Sequence, residues 1–152
     1  MTQIGDLKSE RVYKIKIKKK GGMQTSEKVL HPELSYIITG ICFDIQRELG
    51  RFCREKQYSD MFEELLKEKA LKYKREAEIK SFNSESPKGN IVDFIVEDKI
   101  IIDFKAKKFI TKEDYIQMQR YLKAANIELG MIINFRGTYL KPKRVLNSEY
   151  NR

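Results

Sequence analysis

Features that mark several common protein classes are missing from this sequence. No apolar run approaches the roughly 20 residues that a membrane-spanning helix requires, and the opening residues, MTQIGDLKSERVYK, contain no apolar signal core. The two cysteines, Cys42 and Cys53, lack the spacing of metal ligands. We therefore expect a cytoplasmic chain with reduced core thiols and no membrane partner.

Positive charge is in excess, and it lies at the two ends of the chain. The 152 residues carry a net charge of +9, and 41% of them are hydrophobic, which fits one domain with a hydrophobic core. Residues 1–20 hold seven Lys/Arg against two Asp/Glu, residues 136–152 hold five against one, and the region between holds 19 of each sign. Such ends are typical of nucleic-acid contacts or, alternatively, of solubilising tails. The candidate nucleic-acid contacts are Lys14, Lys16, Lys18, Lys19, Lys20, Lys141, Lys143 and Arg144.

The same segments predict the domain boundaries. We interpret residues 1–25 as a basic N-terminal extension, residues 26–146 as the folded domain and residues 147–152 as a C-terminal tail. Within the extension, RVYKIKIKKKGG alternates apolar residues with lysines. That pattern fits an edge strand and equally a disordered basic arm.

A helix is predicted at the start of the domain. Pro32 favours a first helical turn, and Gly50 favours a C-terminal cap. An apolar stripe runs between them, and Tyr36 and Phe43 lie on the opposite side, which indicates a helix that packs on two surfaces. The stripe comprises Ile37, Ile38, Ile41, Cys42, Ile45 and Leu49.

A second helix is predicted over residues 53–69, and its start contains a candidate site residue. Its apolar stripe comprises Tyr58, Met61, Phe62, Leu65 and Leu66. Glu55 shares that stripe by helical spacing. The alternative is an acid in the first turn, where the helix dipole favours it. We expect Glu55 to be substantially buried and close to the strands that follow.

The sequence pattern in the rest of the domain predicts several strands and one more helix. A polar strand over residues 71–82 and a loop precede two apolar strands, 91–96 and 100–106. ITKEDYIQMQRYLKAAN predicts a helix with a capping box of Thr111 and Asp114. ELGMIINF predicts a central strand, and a basic tail follows. This order predicts an α/β (α+β) fold with a mixed central sheet and helices on both faces.

Two carboxylates and an ammonium interrupt the apolar hairpin NIVDFIVEDKIIIDFKAK. A three-residue turn at 97–99 puts Asp93 opposite Asp103 and places Lys105 on the same face, whereas a two-residue turn would separate the two acids. Facing carboxylates repel each other, and a divalent cation would relieve the repulsion. An oxygen-rich site suits Mg²⁺ or Mn²⁺. The alternative is a pair of edge acids that reach solvent.

This constellation resembles the PD-(D/E)XK nuclease superfamily, in which an acid is followed by an acid-x-lysine motif. More narrowly, residues 30–146 resemble the GxxExxY family within that superfamily. The similar blocks are ELGRFCREKQYSDMFEELL, VDFIVEDKIIIDFKAK, YIQMQRYLKAAN and LGMIINF, in that order. Gly50, Glu55 and Tyr58 match the signature. Three positions depart from it, with Gln46 in place of a histidine, Phe52 in place of a glycine and Asp103 where glutamate is usual.

The resemblance implies a restriction-endonuclease-like core and assigns roles to five residues. The implied catalytic residues are Glu55, Asp93, Asp103, Lys105 and Gln117. Asp93, Asp103 and the backbone carbonyl of Phe104 would bind Mg²⁺ or Mn²⁺, which Glu55 would reach directly or through water. Lys105 would act on the attacking water and the phosphate, and Gln117 would hold Lys105 or a phosphate.

The predicted function is metal-dependent hydrolysis of phosphodiester bonds in nucleic acid, with DNA favoured over RNA. The alternatives are a nucleic-acid-binding module without turnover and a protein-interaction module on the same fold. No aromatic stacking motif is found in the sequence. Strandedness, endonuclease or exonuclease action and oligomeric state are therefore left open.

Overall fold

A computed structural model describes residues 31–79 and 90–150. The N-terminal extension, most of the loop before the hairpin and the last two residues lie outside the described residues. The helices are α1 (Pro32–Leu49), α2 (Glu55–Glu68) and α3 (Lys112–Ala125). The strands are β1 (Tyr73–Glu78), β2 (Ile91–Val96), β3 (Ile100–Lys105), β4 (Leu129–Asn134) and β5 (Lys143–Leu146).

One five-stranded sheet has the order β1-β2-β3-β4-β5. Strands β3 and β4 are parallel, and the other neighbouring pairs are antiparallel. Buried residues of α1 and α2 form a core with one face of the sheet. Buried residues of α3 form a second core with the other face. The predicted mixed sheet with helices on both faces is confirmed.

Helix α1 begins and ends where the sequence predicted. Pro32 lies in the first turn, and Gly50 closes the helix at φ 79°, a conformation that glycine adopts without strain. Among the described residues, α2 and the sheet form the core with the side that carries the stripe. Tyr36 and Phe43 on the opposite side are 40% and 43% exposed, so the predicted second packed surface is not confirmed.

The predicted basic tail after β4 contains a strand. β5 pairs antiparallel with β4, from Lys143 opposite Ile132 to Leu146 opposite Leu129. Val145 is its one buried residue. The strand has only two apolar residues, Val145 and Leu146, and because they are adjacent they give no alternating signal, so the sequence pattern did not predict the strand. Within the described part of the chain, no helix is long and apolar enough to cross a membrane.

A coordinated distortion occurs where β1 and β2 approach the candidate site. Glu76 in β1 has φ 49°, and the ladder omits its pairing with Asp93 while neighbouring pairs keep their register. Val92 and Phe94 are two residues apart, yet they belong to opposite cores. Side chains normally alternate along a strand. The face of β2 therefore reverses at Asp93, and the pairing of β2 with β3 ends one residue away, at Phe94 and Ile102.

Candidate active site

The hairpin has the register that the sequence predicted. Val96 pairs with Ile100 and Phe94 with Ile102, so the turn is residues 97–99. The paired register ends there, and Asp93 and Asp103 are the next residues of the two strands. Asp103 lies between Ile102 and Phe104, which both belong to the core under α1 and α2. Its side chain therefore faces the opposite side of the sheet, beneath α3.

The regular ladder between β2 and β3 ends at Asp93. The backbone N–H of Phe104 donates to Asp93 Oδ2 at 2.7 Å, so a carboxylate replaces the strand's own carbonyl as acceptor. The N–H and C=O of one strand residue point toward the same neighbouring strand. The carbonyl of Phe104 therefore points to the same edge as Asp93.

The carboxyl groups of Asp93 and Asp103 act on each other at the end of the hairpin. Asp103 directly precedes Phe104, whose N–H donates to Asp93 Oδ2 at 2.7 Å, and besides burial the neighbouring Asp103 side chain contributes to a raised pKa of Asp93. Burial raises the pKa of Asp93 from its ordinary value of 3.8 to about 7, against the opposing effect of the Phe104 N–H. The negative charge of Asp103 raises this pKa further. Two like charges have thus been brought together in a place with little water.

Lys105 is the cation beside this pair. Its Nζ lies 3.1 Å from Asp103 Oδ2 and 3.9 Å from Asp114 Oδ1. Burial would lower the pKa of Lys105, but the negative charges of Asp103 and Asp114 outweigh that effect and raise it. The ammonium is therefore charged at neutral pH and is held in place by two carboxylates.

Glu55 approaches the site but is not buried as predicted. It is the first residue of α2 and is exposed, because the packed stripe begins one turn later at Tyr58. The alternative of an acid in the first helical turn describes this position correctly. The surroundings still raise the pKa of Glu55 by burial, and the charges of Lys105, Asp103 and Lys107 all act on its carboxylate. Its predicted proximity to the hairpin stays a prediction, which these charge effects support.

Helix α3 contributes contacts that sequence reasoning missed. Asp114 forms the predicted capping box with Thr111, but it is also buried and forms an ion pair with Lys107 as well as with Lys105. The charge of Asp103 helps to raise the pKa of Tyr121, after the larger effect of burial. The sequence pattern explains Asp114 as part of a capping box, and nothing in that pattern predicts its ion pairs with Lys105 and Lys107.

A sequence profile of the PD-(D/E)XK nuclease superfamily matches residues 32–145. The match covers all three helices, strands β1 to β4, most of β5, and the acid pair with its lysine. The chain belongs to the PD-(D/E)XK nuclease superfamily. Searches of curated proteins and of solved structures gave no significant match.

Superfamily membership raises the question of whether the residues fit a divalent metal. Among the described residues, no group of three or more His, Cys, Asp and Glu side chains is arranged to hold an ion. The candidate ligands are therefore the carboxylates of Asp93 and Asp103 and the backbone carbonyl of Phe104. This all-oxygen set suits Mg²⁺, which keeps several waters and often binds one or two carboxylates together with substrate phosphates. The set does not suit a structural zinc ion, which takes four nitrogen and sulfur ligands.

Gln117 lies on the side of α3 that faces the acid pair. It follows Asp114 by three residues and precedes Tyr121 by four, so the three side chains share one helix face. Asp114 forms an ion pair with Lys105, and the charge of Asp103 helps to raise the pKa of Tyr121. Gln117 is half-buried between them. Its predicted role at Lys105 or at a phosphate stays a prediction.

The segment between α1 and α2 is fixed by Tyr58. The Tyr58 hydroxyl donates to the carbonyl of Gly50 at 2.6 Å and accepts from the N–H of Cys53 at 3.2 Å. Its buried ring stacks on Phe135, with centroids 4.0 Å apart. Phe135 in turn donates its N–H to the carbonyl of Lys105. The start of α2, and with it Glu55, is thereby tied to the end of β3.

Tyr58→Phe is expected to lower the free energy of unfolding by about 1–3 kcal/mol, because the Gly50 carbonyl and the Cys53 N–H lose their buried partner. Urea denaturation measures the change. Tyr139→Phe is the matched control, since Tyr139 is exposed and should change stability very little. Equal stability of Tyr58→Phe and the parent would show that this bridge does not hold the segment.

The raised pKa of Asp93 predicts a pH-dependent stability in metal-free protein. Between about pH 4 and pH 7 the folded chain holds a proton that the unfolded chain has released, so folding weakens as pH rises through this range. Asp93→Asn removes this effect. The stability of Asp93→Asn relative to the parent should therefore increase from pH 5 to pH 8, as measured by urea denaturation in EDTA.

Asp98→Asn is the control for this experiment, because Asp98 lies in the turn of the same hairpin and has a lowered pKa through Lys72. Its stability relative to the parent should stay constant from pH 5 to pH 8, because the Asp98 carboxylate is ionised in both the folded and the unfolded chain over this range. A constant difference between Asp93→Asn and the parent would contradict the buried acid pair.

Proposed function

We propose that the protein is a divalent-metal-dependent nuclease that hydrolyses phosphodiester bonds of nucleic acid, and that DNA is its substrate. The observation that carries the proposal is the acid pair at the end of the hairpin, where the Phe104 N–H donates to Asp93 Oδ2 at 2.7 Å and Lys105 Nζ lies 3.1 Å from Asp103 Oδ2. A chain gains no stability from two facing buried carboxylates. The spaced blocks around Gly50, Glu55 and Tyr58 support placement in the GxxExxY group.

Each site residue has a role that its surroundings support. Asp93, Asp103 and the Phe104 carbonyl would hold Mg²⁺ or Mn²⁺. When bound, the ion lowers the pKa of a water molecule and neutralises charge on the phosphate. Lys105, oriented by Asp103 and Asp114, would place the attacking water and stabilise negative charge that develops on the phosphate. Glu55 would complete the site from the start of α2.

The experiment is a cleavage assay with end-labelled oligonucleotides, offered as single-stranded and duplex DNA and RNA. The full chain is tested in Mg²⁺, in Mn²⁺ and in EDTA. We expect products from DNA that require the metal. The turn variant Asp98→Asn should cleave at the parent rate, since Asp98 lies at the far end of the hairpin. Products that persist in EDTA, or no products with any substrate and metal, would refute the proposal.

A nucleic-acid-binding module without turnover is the second candidate, and one contact favours it. Lys105 already neutralises Asp103 at 3.1 Å, and no third carboxylate joins the pair within the range the structure describes. This module would bind oligonucleotides with strong salt dependence and cleave none of them. The same assay, run beside a binding titration, separates the two candidates.

The basic ends are proposed to bind the nucleic-acid backbone. Lys141 precedes β5, and Lys143 begins that strand, where both are exposed. The lysines of the extension lie outside the described residues. Phosphate contacts of this kind increase affinity without reading sequence.

Deletion of residues 1–22 is expected to weaken DNA binding and to flatten its salt dependence. The slope of log affinity against log salt should decrease by about 0.7–0.9 for each phosphate contact that is lost. Folding should persist, because the family match begins at residue 32. Fluorescence anisotropy at several salt concentrations measures the slope.

A full-length variant with the extension lysines changed to glutamine is the control for chain length. It should reproduce the effect of the deletion. If both variants bind as tightly as the parent, the extension does not contact nucleic acid.

A further inference from the structure

The most exposed apolar side chains of the described residues lie at one edge of the sheet. We call this the carboxyl edge, formed by the ends of the parallel strands β3 and β4 at residues 103–106 and 134–136. Phe52, Phe109 and Tyr139 are 74%, 69% and 78% exposed. All three lie on connections that meet this edge. The acid pair and Lys105 lie there as well.

Phe52 is surrounded by two arginines from distant parts of the chain. The guanidinium carbon of Arg51 lies 5.1 Å from the centre of the Phe52 ring, and that of Arg136 lies 5.3 Å from it. The two arginines also bond reciprocally, since Nε of each donates to the backbone carbonyl of the other at 3.0 Å. The ring nevertheless remains largely exposed.

This cluster is held rigidly next to the candidate active site. Gln46 donates its side-chain N–H groups to the carbonyls of Phe135 and Gly137, which fixes the connection on either side of Arg136. Tyr58 fixes the other connection through Gly50 and Cys53. The charge of Arg136 also lowers the pKa of Tyr58, although burial has the larger, opposite effect. Glu55 is three residues beyond Phe52, and the charge of Lys105 acts to lower the pKa of its carboxyl group.

A second aromatic side chain at the carboxyl edge also has a cation beside it. Lys108 Nζ lies 5.6 Å from the centre of the Phe109 ring, on the connection that follows Lys105. Exposed rings next to cations are expected where successive bases stack and phosphates need neutralising. An apolar protein partner would instead require a contiguous patch without flanking charge. The flanking cations favour a polyanion that carries flat rings.

We propose that Phe52, with Arg51 and Arg136, forms a stacking platform for an unpaired base beside the scissile phosphate, and that the substrate is therefore single-stranded nucleic acid or a single-stranded end. This rests on the proposed nuclease function for the identity of the cleaved bond. Bases of an intact duplex are stacked on one another and cannot reach the Phe52 ring. The Arg51 and Arg136 guanidinium groups have further N–H donors besides the bonded Nε, and these suit the phosphates on either side of the base.

The test is equilibrium binding by fluorescence anisotropy, carried out in EDTA so that no strand is cleaved. Three probes of equal length are compared: single-stranded DNA, the same strand with abasic sites throughout, and duplex DNA. The abasic probe keeps the phosphates but has no bases. We expect the parent to bind the single strand about ten-fold more tightly than the abasic strand.

Three variants make the test specific. Phe52→Ala should lose the ten-fold preference for bases and should bind the abasic strand and the duplex as the parent does. Phe52→Trp should keep the preference, since indole also stacks. Ile116→Ala is the control, because it removes an exposed apolar side chain from α3. Circular dichroism confirms that each variant is folded.

A charge variant tests the other half of the platform. Arg136→Gln should reduce the salt slope for single-stranded DNA by about 0.7, the contribution of one phosphate contact, whereas Phe52→Ala should leave the slope unchanged. An unchanged slope for Arg136→Gln would overturn the assignment of that arginine to a phosphate.

The outcomes distinguish this inference from the proposed function. A preference for bases that depends on Phe52, without metal-dependent cleavage, supports the platform and contradicts the nuclease. Metal-dependent cleavage without any effect of Phe52→Ala supports the nuclease and overturns the platform. Equal losses of affinity of Phe52→Ala for the single strand and for the abasic strand would also overturn the platform. Binding of polyglutamate that depends on Phe52 would overturn it as well, because it would indicate an acidic protein partner.

Discussion

Lys105→Met is expected to lower the rate of metal-dependent cleavage by about 10²–10³-fold, because the ammonium stabilises charge that develops on the phosphate. Methionine keeps the aliphatic stem and avoids a cavity beneath α3. Affinity for DNA in EDTA should change by about five-fold at most, since one cation among many contributes little to ground-state binding. Rate and affinity are measured on the same preparation at the same salt concentration.

Two further lysine variants serve as comparisons for Lys105→Met. Lys105→Arg retains the charge that Asp103 and Asp114 hold, and it should recover part of the lost rate. Lys99→Ala removes an exposed lysine from the turn of the same hairpin and should cleave at the parent rate. If Lys105→Met also cleaves at the parent rate, Lys105 does not act in the reaction.

Asp103→Asn is expected to abolish both metal binding and cleavage. Loss of a partner outside the ligand shell of a metal costs ten- to hundred-fold in affinity, and loss of a direct carboxylate ligand should cost more. Cleavage should fall by about 10³-fold or more, because the substituted site loses the metal's contribution to the attacking water. Calorimetric titration with Mn²⁺ measures the affinity, and the oligonucleotide assay measures the rate.

Stability separates this loss of function from a loss of folding. In the metal-free chain, Asp103→Asn removes one of two facing carboxylates, so the free energy of unfolding should not decrease at pH 8. Asp98→Asn should bind Mn²⁺ as the parent does. Retained Mn²⁺ affinity in Asp103→Asn would remove this residue from the metal site.

The acid pair could be predicted from the sequence because hairpin register depends on local rules. A turn of three residues is enough to make Asp93 and Asp103 the next residues after the paired Phe94 and Ile102. The distortion at Asp93 could not be predicted in this way. It depends on the conformation of Glu76 in a neighbouring strand and on the bond from the Phe104 N–H, and neither leaves a pattern in the sequence.

Glu55 shows the limit of helical periodicity. The spacing correctly puts it on the same side of α2 as Tyr58, but periodicity does not tell where a helix leaves the core. Because α2 begins at Glu55, the first turn is exposed to solvent, whereas Tyr58 in the next turn is fully buried. Its predicted role at the site therefore depends on its position at the start of α2 and not on burial.

The cluster of Phe52, Arg51 and Arg136 could not be predicted from the sequence for a different reason. Arg51 and Arg136 are 85 residues apart, and only the parallel pairing of β3 and β4 brings the connection after β4 to the start of α2. Asp114 was missed because a local capping box already explained it. Long-range pairing and residues with two roles are the features that a linear pattern does not contain.

The measurement that tests the central claim most directly is an anomalous difference map from crystals of the protein grown with Mn²⁺, recorded at the manganese absorption edge. The account predicts a peak between the carboxylates of Asp93 and Asp103, within coordination distance of both and next to the Phe104 carbonyl. The peak should be missing from crystals of Asp103→Asn grown in the same way. A map of the parent without a peak at this pair, or with manganese bound only elsewhere, would contradict the account.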